Sequence, residues 1–389
     1  MHAAYIDLLN DEATVGATAV DELLAAPEAE RAALLRTHPE WLRVGTMNAL
    51  LAAARTELDT NATTAAAIVD LVHEFLDAVP APANAPILLD RLRGTAWKDR
   101  ASVDYRQGKN KEAVAAAKEA AAIFAQRPAL VVHHAAALFV EAQACHALGL
   151  TKAAMRILDE CRATFAEHGD TRHWVQALAM KAICLFDLGD RHPERREYYE
   201  RARTVALEAE EEARRLPDGR ELARIHNTLG YCNLALGDIA AARRYFGRAF
   251  TGFHALHMDG EVQRTIRGIA LAAREQGQRT EALEMLHVVY REFLERGMPA
   301  TAAGVLVEIT DTVADLTKDV AFAQEECARL RASLGAYDLP ASVAAAVAYA
   351  EDRARAAETA DALQRDLAPV RAFFTRYAQR PETPFIPPA

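Results

Sequence analysis

Five glycines, Gly108, Gly149, Gly189, Gly237 and Gly277, stand 41, 40, 48 and 40 residues apart, each between two segments of helical periodicity. A recurrence of that length restricts a chain to an array of like units, because each copy must bury the same faces against its neighbours. The flanking phrases are YRQGKNKEAV, HALGLTKAAM, FDLGDRHPER, LALGDIAAAR and AREQGQRTEAL. Seven residues before the glycine the side chain is small in every copy: Ala101, Ala142, Ala182, Gly230 and Ala270. Five residues after it alanine stands in four copies, Ala113, Ala154, Ala242 and Ala282. Sixteen residues after it comes a larger apolar residue: Phe124, Phe165, Val205, Phe253 or Phe293.

These offsets predict helical hairpins. Small residues on both helices let an antiparallel pair cross closely, and the glycine supplies the left-handed conformation that ends the first helix. The late apolar residue fills the space between one hairpin and the next. Alanine abounds, and alanine favours helices over strands, so composition agrees with an all-α chain. The apolar fraction of 51% excludes a disordered chain.

The third copy departs from the pattern. Glu194 replaces the packing alanine, and RHPERREYYERARTVALEAEEEARRL predicts an extended, charged second helix that projects beyond its neighbours. A solvated face is its plain explanation; a docking or dimer surface is the other. Before the repeats, residues 5–38 offer short helices broken at Pro27 and Pro39, and Trp41 to Leu58 with Ala62 to Val79 forms a hairpin lacking the glycine. PAPANAP, from Pro80 to Pro86, is a breaker and a candidate joint. Thr301 to Leu316 and Asp319 to Leu334 form a degenerate sixth hairpin, followed from Pro340 to Arg380 by capping helices with a kink or break at Pro369. The expected divisions are therefore 1–90, an N-terminal helical region; 91–335, the repeat array; 336–380, the cap; and 381–389, a mobile proline-rich tail.

The fourth copy, HNTLGYCNLALGDIAAARRYFGRAF, resembles the tetratricopeptide repeat (TPR) family through Leu229, Gly230, Gly237, Ala242, Phe246 and Ala249. Trp97 stands where that family has its early aromatic residue. The spacing near 40 exceeds the family period of about 34, and FAEHGD and FLERGM are similar to phrases of long-repeat bacterial regulatory TPR proteins. The resemblance covers about residues 95–335 and implies a right-handed superhelical solenoid of antiparallel hairpins. It also implies that positions thirteen, ten, six, three and two before each turn glycine face a concave groove. Among those positions are Lys98, Gln143, His146, Arg224, Asn227, Tyr231, Arg264, Arg267 and Arg274.

Over five copies these positions hold seven basic side chains, counting His146, against two acids, whereas the whole chain carries a formal charge of −10. Arginine grips carboxylates bidentately, and asparagine can hold a peptide backbone through paired donor and acceptor. Arg224, Asn227, Tyr231, Arg264 and Arg267 are the favoured anchor cluster, similar to the carboxylate clamp of some TPR proteins without matching it residue for residue. The same arginines could instead pair with glutamates of neighbouring helices.

No catalytic motif is present: the chain has no GxGxxG, P-loop, GxSxG or HExxH. Adjacent His133 and His134 point about 100 degrees apart on a helix and make a poor metal pair. His254 and His257 share a face but lack a third ligand at matching spacing. The expectation is of no enzyme, metal or cofactor. Cys145, Cys161, Cys184, Cys232 and Cys327 form no CxxC pair and read as buried thiols of a cytoplasmic protein. No signal peptide or transmembrane segment is visible. The acidic balance and the lack of a basic recognition helix disfavour direct nucleic-acid contact.

The resulting expectation is a bacterial scaffold, adaptor or regulator that binds a protein or peptide, preferably an acidic segment, in a basic concave groove. A second class is a ligand-controlled switch that binds a signalling peptide and sequesters or releases a regulatory partner. The charged third-copy helix or an uncapped apolar end could support a homodimer.

Overall fold

The computed structural model describes residues 16, 19–58, 61–81, 86–189, 192, 194–377 and 385–387. Among these, every regular element is a helix and consecutive helices pack as antiparallel hairpins, as in a solenoid. Expectations for residues 1–15 and for most of the proline-rich tail lie outside the described residues. The chain divides into two compact units, 1–177 and 178–389. The sequence divisions near 90 and 335 rest on a different criterion, where the glycine pattern starts and stops.

The first unit holds α1 (Glu28–Thr37), α2 (Val44–Glu57), α3 (Ala62–Phe75), α4 (Pro86–Arg106), α5 (Asn110–Ala125), α6 (Val131–Ala147) and α7 (Thr151–Glu167). Asn61 caps α3 by accepting from the Thr64 N–H, and Pro86 opens α4, where its missing N–H costs nothing. Leu23, Leu35, Met47, Ile68 and Val72 share one core with Leu92 and Ala96 of α4. The helices before the repeats are thus packed onto the first repeat. Helix α8 (Thr171–Gly189) begins in this unit and ends in the second.

The second unit continues with α9 (Arg195–Ala213), α10 (Arg220–Leu236), α11 (Ile239–Ala255), α12 (Asp259–Glu275), α13 (Arg279–Glu295), α14 (Pro299–Thr317), α15 (Val320–Leu334), α16 (Ala341–Ala356) and α17 (Ala360–Tyr377). Gly108, Gly149, Gly237 and Gly277 have φ between 76° and 83°, the left-handed conformation expected of a turn glycine. At Gly237 the Asp238 N–H donates to Asn233 O at 2.9 Å, closing the C-terminus of α10. Gly237→Ala should cost about 1–2 kcal/mol, because an added Cβ meets empty space and only the backbone conformation is penalised. An unchanged urea midpoint would show that this turn tolerates side chains.

Gly189 behaves differently from the expectation. It is the last residue of helix α8, and an added Cβ would lie 2.6 Å from the Tyr199 ring. Close approach, not left-handed backbone, is what this glycine provides. The third-copy helix also needs correction: α9 has 19 residues against 17 in α11 and α13, so most of the extra length lies in its connections. The shifted register leaves Val205 half-buried, while Ala202, Ala206 and Ala209 carry the packing. Pro369 does not break the cap, since α17 runs through it as one helix.

The cap determines what remains of the sixth hairpin's surface. Residues 302–314 of α14 are all buried, because α13, α15 and α17 each pack on it. The Phe374 ring sits against Gly304, where an added Cβ would meet it at 3.3 Å. Lys318 ends α14 in the left-handed conformation at φ 53°, taking the part that glycine plays in the other copies.

Candidate functional site

Asn227 and Tyr231 lie one turn apart on α10 and face α12. The Thr265 hydroxyl lies 3.3 Å from Asn227 Oδ1, and the Tyr231 hydroxyl donates to Arg264 O at 3.2 Å. Tyr231 stands edge-on to Phe246 at 5.0 Å and to Phe186 of α8 at 6.5 Å, so its ring is fixed on three sides. Burial raises its phenol above the usual tyrosine range. Two of the sequence-predicted helices therefore present Arg224, Asn227, Tyr231 and Arg264 together.

The arginines of this face divide into two kinds. Arg224 lies 3.4 Å from Glu221 and Arg264 2.9 Å from Glu261, each a partner three residues back on its own helix. The Arg264 pair is at the surface, where such contacts are worth little, whereas Glu221 is a buried carboxylate; among the described residues neither arginine is held by an acid of another helix. Arg267 is instead held by both oxygens of Glu308 on α14, with its Nε at 3.1 and 2.9 Å. Burial lowers the Arg267 guanidinium pKa, but the Glu308 charge and hydrogen bonds outweigh it and raise the net value. Arg274 lies 2.9 Å from Asp311, which also takes Arg371 of α17 at 2.7 Å. Burial pushes the Asp311 carboxyl up, and the two arginines pull it back part of the way.

Glu308 and Asp311 escaped the sequence count for a definite reason. The sixth copy turns at Lys318, which a search for glycines passes over. Counted back from Lys318, the offset that finds Arg267 before Gly277 and Asn227 before Gly237 lands on Glu308. Two of the seven basic side chains counted over five copies are thus met by carboxylates of the sixth, and Arg267 and Arg274 are structural partners of α14.

In the first unit, Lys98 is 2.6 Å from Asp99, a carboxylate 2% exposed that also takes Arg55 at 2.6 Å. His146 is buried and Gln143 half-buried on α6. These three belong to the first unit and the α10 and α12 residues to the second. The five cysteines are buried and free. His254 stacks on Phe250, and His257 adopts positive φ at the end of the α11 hairpin. Among the described residues no group of three or more His, Cys, Asp or Glu side chains could hold a metal ion, and no helix is long and apolar enough to cross a membrane.

No family model matches the sequence, and no curated protein matches it. Solved structures do. The apo form of RapI is 13% identical, with a TM-score of 0.54 over 74% of this chain and 97% of that one. A Rap protein complexed with Competence and Sporulation Factor is 16% identical, with a TM-score of 0.51 over 87% and 100%. A signal transduction ATPase with a tetratricopeptide repeat sensor, from Pyrococcus horikoshii, is 16% identical with a TM-score of 0.54. That match covers 90% of this chain and 52% of the ATPase.

Proposed function

With a TPR-like helical-repeat fold as the premise, we propose that this chain is a regulator or adaptor that binds a peptide or protein segment on the face shared by α10 and α12. The observation that carries it is the pairing of a fixed aromatic ring with cations paired within their own helices. Tyr231 is locked between Phe186, Phe246 and α12, while Arg224 and Arg264 are held by Glu221 and Glu261 of their own helices. A peptide carboxylate can join such pairs without breaking a contact between helices, and the Asn227 amide stands beside them to donate to a backbone carbonyl. An acidic segment is the favoured ligand, and no catalysis is proposed. A cytoplasmic location and a bacterial source belong to the same proposal.

The second reading, a ligand-controlled switch, is supported by the resemblance to a Rap protein solved with a signalling factor and to a repeat sensor in a signal transduction ATPase. A switch should change its solution scattering profile when the ligand binds; a passive scaffold should not.

The binding face is tested by Arg224→Glu combined with Arg264→Glu. Arg264 is exposed, but Arg224 is half-buried beside the buried Glu221, so the thermal midpoint of the variant is measured and capture is compared at a temperature where it remains folded. Proteins recovered with the wild-type chain by affinity purification should be lost with the variant. Recovery of the same partners in the same amounts would overturn this face as the site.

A further inference from the structure

Another face of α10 borders a cleft distinct from the α10–α12 face. Gly219, Leu222, Ala223 and His226 on one side, and Arg244, Gly247, Arg248, Thr251 and Gly252 on the other, line a cleft of about 600 Å³ between α10 and α11. It sits beside the irregular third copy, where His226 Nε2 meets the buried Glu210 carboxylate of α9 at 3.1 Å.

Three features of this cleft are not explained by packing. Gly247 lies in the exposed middle of α11, and a Cβ added there would meet nothing within 4 Å. Glycine in a helix interior costs about 1 kcal/mol relative to alanine, and here no neighbour requires it. What it does is leave the backbone bare along the cleft. Arg244, one turn before Gly247, has no acidic partner among the described residues. Arg248 is only 3.8 Å from Glu210, whose carboxylate is already engaged by His226 and by Arg214 at 2.8 Å. Its guanidinium rests over the Tyr245 ring at 5.5 Å. Two exposed cations therefore flank an apolar floor made by Leu222, Ala223 and glycine backbone.

We propose that this cleft binds a short peptide segment of a partner in which an acidic side chain adjoins an aliphatic one. Arg244 and Arg248 take the carboxylate; the bare backbone at Gly247, beside Leu222, takes the apolar side chain. The seven steps from Gly219 to His226 and the eight from Arg244 to Gly252 span about 10–12 Å, enough for roughly three residues of extended chain. A lone inorganic anion would leave the apolar floor empty. The site is separate from the α10–α12 face, so either assignment can fail without the other.

The test uses the full chain and fluorescent Ala-Glu-Leu-Glu-Leu-Ala, blocked at its C-terminus, with anisotropy as readout. Saturable binding should weaken at least tenfold in Arg244→Glu/Arg248→Glu and in Gly247→Leu. The second variant fills the cleft at a position where leucine is the better helix former, so its thermal midpoint should not fall. The Gln-for-Glu peptide should bind at least tenfold more weakly, and millimolar phosphate should not displace the acidic peptide. No saturation up to about 1 mM peptide would overturn the proposal. So would binding that survives Gly247→Leu but is lost in Arg224→Glu/Arg264→Glu, or equal competition by phosphate.

Discussion

Replacing Arg267 by alanine is expected to lower the unfolding free energy by about 3–5 kcal/mol, the cost of leaving a buried carboxylate without its partner. Glu308 is 7% exposed and its hydrogen bonds to Arg267 span 41 positions of sequence, joining the first helices of the fifth and sixth copies. The decisive comparison is with Glu308→Ala and the double variant. Removing both groups takes away the stranded charge, so the double variant should be more stable than Arg267→Ala alone. Urea titration of the three variants measures the coupling. A loss below about 1 kcal/mol in Arg267→Ala would mean that the pair behaves as a surface contact, and Arg267 would return as a candidate for ligand binding.

Phe246→Ala should be about as damaging, at roughly 3–5 kcal/mol, but by a different cause. The ring is fully buried and lies between two backbones, with Cβ atoms built at Gly230 and Gly268 falling 2.5 Å from its edge. It fills a space that only two glycines leave open. Gly230→Ala should itself cost about 1–3 kcal/mol, overriding the roughly 1 kcal/mol that alanine gains in helix propensity. Combining Gly230→Ala with Phe246→Leu should cost less than the sum of the two, because the smaller side chain makes room for the methyl group. Additive losses would show that these residues do not share one packing site. Because Phe246 also supports Tyr231, Phe246→Ala should weaken partner capture even at temperatures where the chain remains folded.

The two variants separate what can and cannot be read from a repeat. Gly230 stands at the recurrent small position and Phe246 among the residues that carry the family resemblance, so each was singled out by the sequence, but their contact is a finding of the structure. Gly268 is outside the repeated small position, and only the structure shows it on the same ring. Gly189 kept its place in the spacing but changed its work, from turn to close approach, because the connection after it is longer.

The candidate site was half legible for the same reason. Asn227, Tyr231, Arg224 and Arg264 follow from the offset before Gly237 and Gly277, and they do come together. The state of Arg267 and Arg274 does not follow, since it depends on a copy whose turn residue is a lysine and on a helix, α17, that leaves the repeat pattern to pack on α14. Glycine spacing fixes backbone geometry locally, through sterics that act within a few residues. Whether a charged side chain is free or neutralised depends on carboxylates brought near from distant positions. The amino-acid order alone therefore determined the hairpins, their turns and the residues that line their faces. Tertiary structure decided which of those arginines are bound to acids of a distant helix and which pair only within their own.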